Sequence, residues 1–414
     1  MEGNRLLKIL GPGLLLAGAA VGVSHLVQAT RAGATYGFAL LAFLLLACLT
    51  KWPFLEFGPR YFAATGENLL EGYRRLGSWA IWLYVLVTLG TMFVITATVT
   101  GVTAAVAAHL FGLELSPVIW SAVLLAVCSA ILSLGRYPLL DLLMKVMVVA
   151  LGISTVVAVA AAVFKGPVGT GAEVPDIWTG ASFGFLLALM GWMPIPIDSA
   201  VWHTLWRESR DRQSGHRATI RESVLDYNIG YGIATVLGVA FLALGALVMH
   251  GSGEKLAEGG GAFANQVVSM YGHALGSWSL PLISVAAFTT MFSTTIVVMD
   301  AYPRVLERLV AMRGGREIER TGNQYLVFMA VLAIVALGIL QYAGAKLTAL
   351  VDFATILSFL TAPIFAYMNY RVIMSDAMPS EAKPGAWMRG LSWLSMAFLL
   401  GFSLIFLYWR FYGS

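Results

Sequence analysis

The chain has 414 residues; 59% are apolar, only 12% are charged, and the formal net charge is +4. A soluble domain is about one quarter charged, so this composition excludes a soluble fold, and the modest positive balance does not call for a nucleic-acid partner. The apolar residues fall into blocks of about 20, the length of helix that crosses ~30 Å of hydrocarbon. Residues 1–8 are too short to head a cleaved signal.

Eleven spans are expected, forming a single membrane domain over residues 1–414. Span 1, near 9–30, opens with Gly11-Pro12-Gly13 and weakens again at Gly18 and Gly22. Spans 2 to 5, near 36–56, 79–108, 116–134 and 139–164, are plain apolar runs. Cys48 and Cys128 sit inside them as small core residues. Asp141 and Lys145, at i and i+4, read as an ion pair on span 5. Span 6, near 178–206, carries Gly191-Trp192-Met193-Pro194-Ile195-Pro196-Ile197-Asp198. Two prolines two apart remove two backbone donors and clash with the preceding turn, so the helix should break there. The basic segment 207–221 is suited to lie against anionic headgroups. Span 7, near 222–249, leads into a long connection at about 250–277 that holds Gly259, Gly260 and Gly261. Span 8, near 278–303, contains Thr289-Thr290-Met291-Phe292-Ser293-Thr294-Thr295, and then Asp300 one turn before Arg304. Spans 9, 10 and 11 fall near 324–342, 346–370 and 389–410. With the N-terminus in the cytoplasm, twenty Lys and Arg residues lie on inside segments, Lys51 and Arg60 among them. Five lie outside (Arg31, Lys165, Lys255, Lys346 and Arg410), and Lys145 alone stays within a span. That asymmetry is the positive-inside signature of an integral cell-membrane protein.

Breaks at matching positions five spans apart point to an inverted repeat with its binding site at the repeat interface. Spans 1–5 (about 9–164) form the first repeat, spans 6–10 (about 178–370) the second, and span 11 is added. Each half-helix beyond a break presents N–H groups and a positive dipole end, and each half-helix before it presents carbonyls. One pocket can therefore take an anion on the former and a cation on the latter.

At these residues the sequence resembles the Nramp metal-transporter family, within the LeuT-type fold. The resemblance rests on Gly11-Pro12-Gly13, Ala32-Gly33-Ala34, Tyr36-Gly37, Met193-Pro194 and Asp226-Tyr227-Asn228. It implies an all-α polytopic fold of two inverted five-helix repeats plus an eleventh helix, and transport of divalent metals, usually with protons. The departures bear on the cargo. The place of the family's first-span metal motif is held by Gly22-Val23-Ser24-His25, without its carboxylate. The sixth-span histidine becomes Ile195, and an acidic pair of the third span aligns with Thr96 and Val99. Of the recognisable ligands only Met193 remains.

A dehydrated divalent cation needs negative ligands. Loss of the carboxylate therefore favours a small inorganic anion such as bicarbonate, held by Gly22, Val23, Ser24, His25, Met193, Ile195 and Thr96, with no metal site and no cofactor. The alternative is a divalent metal cation such as manganese, iron or magnesium. His25 reads either as a substrate ligand or as a core histidine, and Met193 either as a ligand or as core. Gly18, Val21, Ser293, Thr294 and Thr295 are candidates for a coupling sodium ion, although Ser and Thr in membrane helices commonly bond their own helix carbonyls. Asp198 could bind a coupling ion, carry a proton or pair with His203. No nucleophile–base constellation suggests an enzyme and no filter-like repeat a channel. The expected partners are the small ion and the lipid bilayer. The sequence does not fix the oligomeric state, and a monomer would suffice.

Overall fold

A computed structural model describes residues 11–167, 169, 173–253, 257, 266–270, 272–273, 276–314, 322–343 and 346–412. The described residues form helices and connecting turns, with no strand among them. Among the described residues nine helices are long and apolar enough to cross a membrane, and a tenth span follows if the bent pair Pro12–Ala20 and Ser24–Tyr36 counts as one. Span 6 is the difference from the expected eleven. Its apolar stretch, Ser182–Trp192, ends at the break, and its second half, Ser199–Ser214, turns polar from Arg207 onward. Spans 4 and 5 lie within one helical stretch, Pro117–Lys165, in which Pro117–Leu134 and Leu142–Lys165 are each of spanning length. The side chain of Asp141 lies outside those described, and with it the expected pair with Lys145. Gly259, Gly260 and Gly261 of the 250–277 connection also lie outside the described residues.

Both expected breaks are present. Span 1 is helical over Pro12–Ala20, leaves helical geometry at Val21 and Gly22, and resumes at 44° with a π-helical turn at Ser24–Ala29. Span 6 stops at Trp192, passes through Met193 to Asp198 and resumes at Ser199. The break in span 1 begins at Val21, so Gly18 still sits in the first half-helix.

Spans 1 and 7 pack backbone to backbone through glycines. A Cβ at Gly230 would lie 3.0 Å from Gly13 Cα, and one at Gly245 would lie 2.9 Å from Ala34 N. Small residues of this kind let membrane helices approach closely when water is not there to drive them together. Outward-facing side chains on the long spans are apolar, among them Leu86, Ile153, Ile334 and Leu404, as lipid contact requires. Two segments differ from the sequence expectation. Span 2 runs from Leu41 to Thr65, nine residues past its expected end, so Arg60 lies inside a helix and not in a loop, and Lys51, counted with the inside-segment cations, lies well within it. The basic 207–221 segment begins as the end of the second half of span 6. There Arg207 is fully buried, and Arg212 and Arg308 both pair with Glu208.

Candidate functional site

The two breaks meet at a small cavity of about 40 Å³. Span 1 contributes Ala19, Ala20, Val23 and Ser24; span 6 contributes Trp192, Pro194, Ile195, Pro196 and Trp202; spans 3 and 8 close it with Ile95, Val99, Thr294 and Val298. Four of the expected site residues line it: Val23, Ser24, Ile195 and Thr294. Gly22 stands at its edge, where a Cβ would come within 2.9 Å of Thr294 Cβ. No group of three or more His, Cys, Asp or Glu suited to a metal occurs among the described residues.

His25 and Met193 face elsewhere. His25 Nε2 donates to the Ala234 carbonyl of span 7 at 2.7 Å, and its Nδ1 lies 2.7 Å from Ser24 Oγ. The ring is fully buried. Met193 is buried beside it, and Gly238 makes the room: a Cβ there would lie 2.8 Å from Met193 Sδ and 3.6 Å from His25 Nε2. The Thr96 hydroxyl donates to Met92 O in its own helix at 2.7 Å. The hydroxyls of Ser293 and Thr294 both reach Gly18 O, at 3.4 and 3.3 Å, so the expected hydroxyl cluster does confront the first half-helix. Thr295 instead pairs with Thr103 at 2.7 Å.

Asp198 caps the second half-helix of span 6 by position, with no side-chain capping bond, and is buried. It does not pair with His203. That histidine points to Asp226, 3.9 Å away, and neither of its ring nitrogens has a hydrogen-bond partner. Asp300 accepts from Arg304 at 2.6 Å, as its spacing suggested, and also from Trp206 and Tyr325.

Three groups at the site escaped the sequence reading. Lys51 is fully buried, and its Nζ donates at 2.6 Å to both Met190 O and Gly191 O, the carbonyls just before the break in span 6. The charge count placed it with the inside-segment cations although it falls within the expected span 36–56. A lysine within an otherwise apolar run was the available signal. Asp226 of span 7 accepts from Gly11 N at 3.1 Å and Gly13 N at 2.9 Å, with Arg207 Nη1 3.9 Å away. It therefore pins the start of span 1. At the other end, Asp352 of span 10 accepts from Arg31 at 2.7 Å and Gln28 at 2.9 Å, both on the second half of span 1. The cavity is thus latched on both sides, one latch holding each half of span 1.

Residues 13–409 match the family described as natural resistance-associated macrophage protein-like, Nramp. An uncharacterized protein of Pasteurella multocida is 36% identical over 403 residues, covering 96% of this chain and 91% of its own length. The fold is similar to a manganese transporter of Eremococcus coleocola, with a TM-score of 0.72, 16% identity, and 99% of this chain and 88% of that one covered. It is also similar to MhsT in complex with L-phenylalanine, with a TM-score of 0.63 at 14% identity over 95% of this chain and 97% of that one. These likenesses carry the LeuT-type architecture that the paired breaks implied.

Proposed function

This chain belongs to the Nramp family of transporters, and from that premise we propose that its cargo is a divalent metal cation, carried by alternating access through the cavity between the two broken spans. The observation that carries this reading is Asp198 at the N-cap of the second half of span 6. A free anion was expected to sit on that positive dipole end. The end already has its own carboxylate, so its field is spent within the protein. Bicarbonate would meet a negative charge there, whereas a cation is favoured. The manganese transporter of Eremococcus coleocola that shares the fold supports the same choice.

The lost first-span carboxylate bears on how the ion is held. Ser24, Thr294 and the backbone carbonyls of the break offer few direct ligands, so the ion keeps part of its water shell. Mg²⁺ does so most readily and Mn²⁺ less so. The cavity of about 40 Å³ is several times the minimum that one ordered water needs, ~10–15 Å³. A coupling sodium ion between Ser293, Thr294 and Gly18 O is a separate proposal, decided by comparing uptake in sodium and choline buffers.

Uptake into proteoliposomes tests the main reading. Manganese or magnesium should enter and bicarbonate should not, and Asp198→Asn should cut uptake at least about tenfold, the effect of removing roughly 1.4 kcal/mol of favourable charge. Bicarbonate uptake by the parent without divalent uptake would overturn it.

A further inference from the structure

We propose that a second cavity, beside the Arg31–Asp352 latch, binds one anionic phospholipid, with the lipid's phosphodiester between Arg31 and Arg410. This cavity measures about 760 Å³, and its walls come from the second half of span 1, the first half of span 6, span 10 and span 11. It shares no lining residue with the ion cavity between the breaks.

The case starts from the donors of Arg31. A guanidinium has five N–H groups in a planar fork. Arg31 Nη1 donates to Gln28 Oε1 at 2.8 Å and to Asp352 Oδ1 at 2.7 Å, and Nη2 donates to Asp352 Oδ2 at 3.3 Å. Those three bonds engage the far end of the fork. Nε–H and the second N–H of Nη2 form its side edge, and no described residue accepts from them. The guanidinium carbon stands 4.8 Å over the Phe185 ring, which holds the plane in place. A fixed, free edge of two parallel donors matches two oxygens of one phosphate.

Charge selects the ligand. The cavity's ionisable lining residues are Arg31, Arg410 and Asp352, two cations against one carboxylate. Arg410 is exposed, and no described residue forms an ion pair with it. One negative charge is therefore lacking, and a phosphodiester carries one. Asp352, Arg31, phosphate and Arg410 then alternate in sign. A choline or ethanolamine headgroup would add an ammonium beside Arg410 and undo that balance.

The surroundings point to a lipid as the source of the phosphate. Phe406 lies one helical turn before Arg410 on the same face of span 11, and Phe353 and Ile356 line the cavity from span 10. Phe353 is 57% exposed, so the apolar wall continues to the outside of the helix bundle, where an acyl chain can follow it. Tyr408, Phe411 and Tyr412 flank Arg410 and are also exposed. Aromatic side chains of this kind gather where hydrocarbon meets headgroups, which puts Arg410 at the depth of a lipid phosphate. A bound phosphodiester would join span 11 to the second half of span 1 and reinforce the latch.

Thermal unfolding of the full chain in neutral detergent tests the site, with phosphatidylglycerol, phosphatidylcholine or inorganic phosphate added. Phosphatidylglycerol should raise the midpoint by a few degrees, the effect of a ligand that binds the folded state only. Phosphatidylcholine and inorganic phosphate should leave it unchanged. Arg410→Gln should lose at least half of the shift. Lys165→Gln removes a cation that does not line the cavity, and it should keep the shift. Native mass spectrometry of the parent, offered both lipids in equal amount, should retain one phosphatidylglycerol, a readout that needs no variant. Equal retention of the two lipids overturns the proposal. So does a phosphatidylglycerol shift of parental size in Arg410→Gln, or no shift in the parent. An equal shift with inorganic phosphate would make this a site for a free oxyanion and overturn its assignment to lipid.

Discussion

At the scale of single residues, His25 shows how a position can match a family's ligand and serve another end. Its Nε2 must carry a proton, since the Ala234 carbonyl can only accept. The Ser24 hydroxyl has one proton to share between Ala20 O and Nδ1, both at 2.7 Å. The ring therefore fastens the break of span 1 to span 7. We expect His25→Ala to act on stability, because it orphans a buried carbonyl at a cost of about 1–3 kcal/mol. Thermal unfolding in detergent should show a lower midpoint, with the apparent metal KM changed by less than about threefold, under 1 kcal/mol. An unchanged midpoint with a KM raised tenfold would return His25 to the substrate site. Gly22 is constrained in a different way. The restored carboxylate of Gly22→Asp would have to displace Thr294 before it could bind anything.

At the scale of elements, the two halves of span 1 are held independently, and this is what alternating access requires. The second half is tied to span 10 by Arg31, Gln28 and Asp352, with Arg31 also 4.8 Å over the Phe185 ring. The first half is tied to span 7 by Asp226 through Gly11 and Gly13. The two latches share no residue. Asp352→Asn removes the charge that Arg31 grips, and hydrogen bonds to charged groups are worth about 1.5–3 kcal/mol. The population open toward the Arg31 face should then rise by roughly ten- to hundredfold. Maleimide labelling of Ser358→Cys, in a chain with Cys48 and Cys128 replaced, measures it. That position sits beside Trp192, whose Nε1 donates to Ser358 Oγ at 2.8 Å. Labelling no faster than in the Asp352 parent would show that the latch carries no gating energy.

At the scale of the whole molecule, an ion enclosed between two latches binds the folded state only. Such a ligand stabilises by mass action, by about 2.7 kcal/mol at a hundredfold excess over Kd. Manganese or magnesium should therefore raise the unfolding midpoint by several degrees at saturating concentration, and bicarbonate should leave it unchanged. The shift should vanish in Asp198→Asn. A shift that persists in that variant would place the ion away from the second half of span 6.

The sequence by itself determined what is local. Runs of about 20 apolar residues set the spans, because each must cover the hydrocarbon with its own backbone bonded internally. Gly18 with Gly22, and Pro194 with Pro196, foretold the two breaks, because glycine and proline act on the helix they belong to. Asp300 with Arg304 was legible for the same reason, being one turn apart. The tertiary structure decided everything that depends on a partner far along the chain. Lys51 meets carbonyls 139 and 140 residues away, His25 a carbonyl 209 away, and Gly13 a carboxylate 213 away. A side chain's direction is set by which helix packs against its own, and no local spacing records that. Hence His25 reads as a ligand in the sequence and a fastener in the fold, while Lys51 reads as an inside-segment cation and proves to be the charge nearest the carbonyl end of the break.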